Sequence, residues 1–320
     1  VTGISGGAGT GECAVTLELV NGRLFTATCG PGDVAPTIRT VSDEDEVTTL
    51  LVSAKNHWST DGDGASVFLV SSDGNATVHT IANGSVTAID GDVTWGQMAP
   101  AGDTVVYRTG ATALKQASTR RGGGRGVIVS AGVRSVPAIA PDFSFVLSSS
   151  APDDVVGRDL ALSPLRMELM EGPPMIPTPT LPELAETLVS TPTAEALGFV
   201  DVERGLARAR HAVFVSGLTP AGLGTLRVHT CASNSSPSKD VVLAEGALTP
   251  KLVPQSALVV FANQPRFDGA KLAAVDLQVV DVLSGSTRSL ATGVDPELSV
   301  GRGVVAYTVN HERVVTVSLR

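Results

Sequence analysis

The sequence predicts an all-β fold, a six-bladed β-propeller, from three observations. One layout recurs along the chain: an aliphatic anchor, often beside a proline, then a turn, then an apolar strand seven or eight residues on. The anchors Ile38, Met98, Ile139, Leu206, Leu252 and Leu298 are spaced by 60, 41, 67, 46 and 46 residues. A unit of roughly 40–50 residues has room for the four strands of one blade. After Leu298 only two further strands are expected, 303–309 and 313–319. The last blade then needs its outer strand from the N-terminal hairpin, which would remove two sheet edges.

Composition agrees with a globular chain. Its 320 residues are 42% hydrophobic and 17% charged, with 34 Gly and 19 Pro, which excludes a disordered or fibrous protein. No run of 18 apolar residues is present, so no transmembrane helix is expected. The formal net charge of −9 opposes nucleic acid as a partner.

Residues 1–12, rich in Gly, Ser and Thr, are expected to be a flexible linker or tether, and residues 13–320 a single propeller domain. The chain begins at Val1 and not at Met, which fits either a removed leader or a trimmed chain. Export to a secreted, periplasmic or cell-envelope location follows as the expectation. Asn21-Gly22 predicts a two-residue hairpin turn that pairs Val20 with Arg23. In that register Cys29 faces Ala14, so a Cys13–Cys29 disulfide needs a bulge or a longer loop. Three reduced thiols, Cys231 included, are the alternative.

The copies follow in order. A stretched one runs from Pro36-Thr37-Ile38 to Leu50-Leu51-Val52. Met98-Ala99-Pro100-Ala101-Gly102-Asp103 leads to Val105-Val106-Tyr107, and Pro137 to Asp142 leads to Phe145-Val146-Leu147. A weaker copy runs from Leu206 to Val213-Phe214-Val215. Leu252 then leads to Val259-Val260-Phe261, and Leu298 to Val304-Val305-Ala306-Tyr307. In the clearest unit, 258–263, 273–281 and 287–291 are the second to fourth strands, and Ser284-Gly285 makes the last hairpin turn.

The repeated anchor, the Ala-Pro-Asp or Ala-Pro-Ala-Gly-Asp turn and the apolar strand after it resemble the PD40 motif of TolB-like six-bladed propellers. The resemblance covers most of the chain as a repeat pattern and implies a fold. It does not by itself imply an activity.

Seven prolines between Ser163 and Gly198 exclude a central strand there and mark an insertion at about 172–200. Within it Thr180-Leu181-Pro182-Glu183 is a capping box, expected to open a short helix with Leu184 and Leu188 on one side.

Chemical motifs are weak. Gly3-Ile4-Ser5-Gly6-Gly7 lacks the strand and helix of a nucleophile elbow. The Arg120–Gly126 stretch lacks a P-loop ending and interleaved aromatics, and reads as a hairpin loop. Asp61-Gly62-Asp63-Gly64 lacks the further ligands of a calcium loop and reads as a turn. None of the five histidines has a close metal-ligand spacing.

Function is therefore sought by topology. Strands of a blade alternate direction, so second-strand exits and blade-to-blade connections share one face. Strand counting puts Asn56, His57, Arg108, Ser148, Asn263, Gln264, Asn310 and His311 at second-strand exits. With 165–170 as the last strand of its blade, the insertion bearing Leu184 and Leu188 rises from that face too. The expected function is a non-catalytic, exported binding module for another protein or an envelope or surface ligand, without a cofactor. The alternative is a lyase- or lactonase-type propeller enzyme with a metal in the central funnel, toward which only His57 and His311 would point.

Overall fold

The structure, a computed structural model, describes residues 16–29, 35–42, 44, 46–110, 112–119, 126–133, 137–141, 143, 145–150, 158–165, 186–191, 194–204, 207–230, 238–269 and 271–319. All regular elements among them are strands, and no helix occurs. The chain divides into two units, the first built mainly from residues 1–136 and the second mainly from 145–162 and 186–320.

The first unit holds three four-stranded antiparallel sheets in chain order. These are β1 (Thr16–Val20), β2 (Arg23–Thr28), β3 (Thr37–Val41) and β4 (Val47–Leu51); β5 (Ala54–Thr60), β6 (Ser66–Ser71), β7 (Ala76–Thr80) and β8 (Ser85–Asp90); and β9 (Val93–Met98), β10 (Thr104–Thr109), β11 (Ala113–Ser118) and β12 (Val127–Ser130). The second unit opens with β13 (Ala138–Ile139), β14 (Phe145–Ser150), β15 (Arg158–Pro164) and β16 (Glu186–Thr191). A seven-stranded sheet follows: β17 (Glu195–Arg204), β18 (Ala207–Ser216), β19 (Leu223–Thr230), β20 (Lys239–Leu252), β21 (Leu258–Asp268), β22 (Lys271–Asp281) and β23 (Thr287–Val294). The last sheet is β24 (Leu298–Gly301), β25 (Val304–Val309) and β26 (Arg313–Ser318). Strand β20 serves two groups. Its first part pairs with β19, and its end, Leu248 to Leu252, pairs with β21.

Burial explains why consecutive apolar residues form these strands. In β6, Val67 and Leu69 pack with Phe25, Ala27 and Ile38 of the first sheet. Their neighbours Phe68 and Val70 pack the other way, with Val93, Met98, Val105 and Tyr107 of the third. A side-chain period of two buries both faces only when a sheet has a packed neighbour on each side. The second unit repeats the scheme. Leu147 and Leu160 meet Phe199 and Phe214, Val213 and Val215 meet Val259 and Phe261, and Val260 and Leu277 meet Leu298 and Tyr307. Burying one such Phe fully is worth about 1.5–3 kcal/mol.

The recurring turn between first and second strands has one hydrogen-bond pattern. Ala99 N–H donates to Thr104 O and Gly102 N–H to Ala99 O; Val253 N–H donates to Leu258 O and Ser256 N–H to Val253 O. Asp61 and Gly64 make the same pair of bonds with Ser66 O and Asp61 O. The anchors Met98, Ile139, Leu252 and Leu298 lie on first strands, as the repeat implies. Ile38, however, sits on a third strand, β3, and 47–51 is the fourth strand of that sheet. The 60-residue gap after Ile38 contains the whole β5–β8 sheet, whose first strand opens with Ala54-Lys55 and has no proline-flanked anchor. Leu206 lies outside the described residues.

The N-terminal hairpin has the predicted register, Val20 opposite Arg23, and β2 pairs with β3 in its own sheet. One expectation about a chain segment is corrected. The helical insertion does not reach Leu188. Residues 186–191 are the strand β16, paired to β15 with Val189 opposite Leu160, and Glu195 already opens β17. The Thr187, Val189 and Thr191 alternation favours a strand once a partner is present. Leu184 and residues 166–185 lie outside the described residues. Since β16 follows them, they join a third strand to a fourth and do not connect two sheets. Cys29 is disulfide-bonded, whereas Cys13 and Cys231 lie outside the described residues.

Candidate functional site

In the first unit, backbone bonds tie second-strand exits to the connections between sheets. Ser72 N–H donates to Ser53 O at 2.8 Å, Val93 N–H to Gly74 O at 2.8 Å and Gly110 N–H to Asp92 O at 2.8 Å. Thr109 adds a hydroxyl bond to Gly91 O at 3.0 Å. These bonds fix one end of the β5–β8 and β9–β12 sheets, and side chains there inherit that rigidity.

Arg108 stands at this end on β10, one residue before the strand exit. Opposite it, β9 carries a bulge: Arg108 faces Trp95 and Thr109 faces Val93, which leaves Thr94 as the extra residue. Arg108 Nε donates to Thr94 Oγ1 at 2.9 Å. From β5, Lys55 Nζ donates to Val93 O at 2.7 Å. Lys55 and Trp95 were not among the expected site residues. Trp95 stands as a lone aromatic between Thr94 and Gly96; the Lys55 bond spans 38 residues and has no local signature.

Asn310 and His311 open the three-residue turn, completed by Glu312, between β25 and β26, both with positive φ, 54° and 56°. They are at a second-strand exit, as strand counting places them. Asp295, in the connection before β24, accepts the His311 backbone N–H at 2.7 Å, and His311 Nδ1 lies 3.6 Å from the same oxygen. That backbone bond, against the opposing effect of burial and helped by Thr308 and the His311 charge, holds the Asp295 carboxyl below the usual range.

The other expected residues fall elsewhere. Asn56 and His57 lie on β5, a first strand, because the preceding strand is the fourth of its sheet. Asn263 and Gln264 lie inside β21, where the register shifts and Gln264 has a φ of 47°; the exit is beyond Asp268. Opposite Asn263, Asp276 accepts Arg266 Nη2 and Gly293 N–H, each at 2.9 Å. Ser148 is fully buried within β14, and Leu188 packs against the core around Leu147 and Leu160.

A second polar group lies deeper in the first unit. The Tyr107 hydroxyl donates to Asp90 Oδ2 at 3.0 Å and Lys115 Nζ donates to the same oxygen at 2.8 Å. Burial, then the Asp90 bond and charge, push the Tyr107 phenol well up. Burial raises the Asp90 carboxyl, but the bonds from Lys115, Gly91 and Tyr107 outweigh it and leave it low. Asp61 caps its own turn, accepting Ala65 N–H at 2.9 Å. His229 Nδ1 lies 2.8 Å from Asp240 Oδ1 on neighbouring strands, and burial lowers His79. Among the described residues, no three His, Cys, Asp or Glu side chains are grouped as a metal site.

Antiparallel four-strand groups that pack face to face in chain order define the β-propeller class, and this chain has that all-β fold. No family model matches the chain, and no curated protein matches it. Among solved structures it is similar to one from a structural and mechanistic analysis of two prolyl endopeptidases. The TM-score is 0.54 at 13% identity, over 95% of this chain and 47% of that one, so this chain spans about half its length. It is also similar to the β-propeller domain of Cps50 (Swd1) from Myceliophteria thermophila, with TM-score 0.48, 10% identity and coverage of 94% and 95%. For TolB from Acinetobacter baumannii the values are 0.39, 12%, 93% and 61%. At such identities the likeness concerns the fold alone.

Proposed function

We propose that the chain is a non-catalytic binding module, a TolB-like propeller that is exported and docks another protein or an envelope ligand through the second-strand ends of its sheets. The observation that carries this reading is that polar groups are held in place at those ends, in each unit taken by itself. Arg108 is held on Thr94, and the Asn310-His311 turn is held on Asp295. Groups fixed in this way lose little conformational entropy on binding. The Cys29 disulfide supports an oxidising compartment, since such bonds persist outside the reducing cytosol. Capture from cell-envelope extract tests the reading: the intact chain retains a partner that Arg108→Glu fails to hold while unfolding at the same temperature. Equal retention by Arg108→Glu contradicts it.

A further inference from the structure

We propose that Asn83 is the acceptor of an N-linked oligosaccharide that covers the exposed edge of the β5–β8 sheet. This rests on the export reading above, because such sugars are added to chains that leave the cytosol. The acceptor tripeptide Asn-x-Ser/Thr occurs as Asn75-Ala76-Thr77, Asn83-Gly84-Ser85 and Asn234-Ser235-Ser236. Geometry separates them. The Asn75 amide donates to Asp73 Oδ2 at 2.8 Å, and the Thr77 hydroxyl lies 3.1 Å from His79 Nε2. Asn234 lies outside the described residues.

Asn83 stands in the turn between β7 and β8, and residues 82–86 are all exposed. Its Oδ1 accepts the Ser85 backbone N–H at 3.0 Å, which holds the two ends of the tripeptide in one turn. Among the described residues, neither Asn83 Nδ2 nor Ser85 Oγ has a hydrogen-bond partner. Gly84, at a φ of 65°, has nothing within 4 Å of where a Cβ would stand, so the tip has room for a bulky group. In the transfer, Asn83 Nδ2 bonds to the anomeric carbon of a lipid-linked oligosaccharide pyrophosphate. The bond from that carbon to the phosphate oxygen breaks, the lipid pyrophosphate leaves with the electron pair, and Nδ2 gives up one proton.

The position gives the sugar a task. Among the described residues β8 is the edge of its sheet, and it exposes Ala88 and Val86, the latter by 55%. An open apolar edge invites pairing with another chain, and a bulky hydrophilic group beside it blocks that approach. The β7–β8 turn lies at the opposite end of this sheet from the β6 exit, so the sugar leaves the proposed binding end clear.

The test is secretion of the full chain from cultured animal cells behind a cleavable leader, then peptide mapping with and without peptide-N-glycosidase. The expected result is a sugar on Asn83 that the enzyme releases, complete loss of it in Ser85→Ala and retention in Ser85→Thr. A bare Asn83 in the secreted chain, or sugar only on Asn75 or Asn234, overturns the assignment. On concentration, Ser85→Ala should self-associate where the intact glycosylated chain does not, and adding Val86→Lys should reverse this. Equal association by the intact and Ser85→Ala chains overturns the edge role. Because the leader supplies export, a bare Asn83 counts against this site alone, and the binding-module reading still stands or falls on partner capture.

Discussion

Lys55 of β5 reaches the carbonyl of Val93, the first residue of β9, at 2.7 Å, and in the other unit Lys251 reaches the carbonyl of Leu298, the first residue of β24, at the same distance. Each lysine stands two residues after a non-glycine residue of positive φ, Ser53 or Thr249. Each therefore links the first strand of one group to that of the next. Hydrogen bonds to charged groups are worth about 1.5–3 kcal/mol, and partial exposure puts these at the low end. Lys55→Met and Lys251→Met should each lower unfolding free energy by about 1 kcal/mol in urea titrations. Unchanged midpoints in both would show that the bonds carry no stability.

Gly96 marks a close approach between two sheets of the first unit. A Cβ there would stand 2.4 Å from Phe68 Cε1 and 2.6 Å from Cζ, and Phe68 is fully buried. Gly96→Ala should destabilise by about 1–3 kcal/mol, as over-packing of a tight core does. Adding Phe68→Leu should recover part of that loss. Additive losses in the double variant would place the strain elsewhere.

The Tyr107–Asp90–Lys115 group predicts two pH effects. The folded Asp90 carboxyl is low, so its contribution is present above the unfolded value of about 3.9 and is lost as pH falls through the folded one. The folded Tyr107 phenol is raised, so its contribution is present below about pH 10 and is lost as pH rises beyond that. Thermal melts should show Asp90→Asn flattening the acid limb and Tyr107→Phe flattening the alkaline limb. Parallel curves for variant and intact chain would contradict the assignment.

Leu188 belongs to the core of the second unit, on a strand paired with β15. Leu188→Asp should therefore cost about 2 kcal/mol or more in stability, by burying a charge. Partner capture should fall only as far as the folded fraction falls. A binding loss with an unchanged melting temperature would return Leu188 to the surface role first expected of it.

These sites show what sequence reasoning reaches. The Ala99–Thr104 and Val253–Leu258 turns were legible because proline, glycine and aspartate fix local dihedrals, and the Asn21-Gly22 register followed from its turn type. The β5–β8 sheet was missed because Ala54-Lys55-Asn56-His57 is polar where other first strands carry an aliphatic anchor. That one omission also misplaced Asn56 and His57. The capping box at Thr180 outweighed the Thr-Val alternation of β16, whose partner lies more than twenty residues upstream. Strand order alone was enough to put Arg108 and the Asn310-His311 turn at second-strand exits. Lys55 was not found, because its meaning depends on a carbonyl 38 residues away.

The central claim is that binding belongs to the second-strand ends. Its most direct test is comparative capture from envelope extract by two folded double variants. One is Arg108→Glu with His311→Glu, at those ends. The other is Asp63→Lys with Gln255→Lys, in turns between first and second strands at the opposite ends of their sheets. The account predicts that the first loses the partner and the second keeps it. Retention by the first with loss by the second would contradict it.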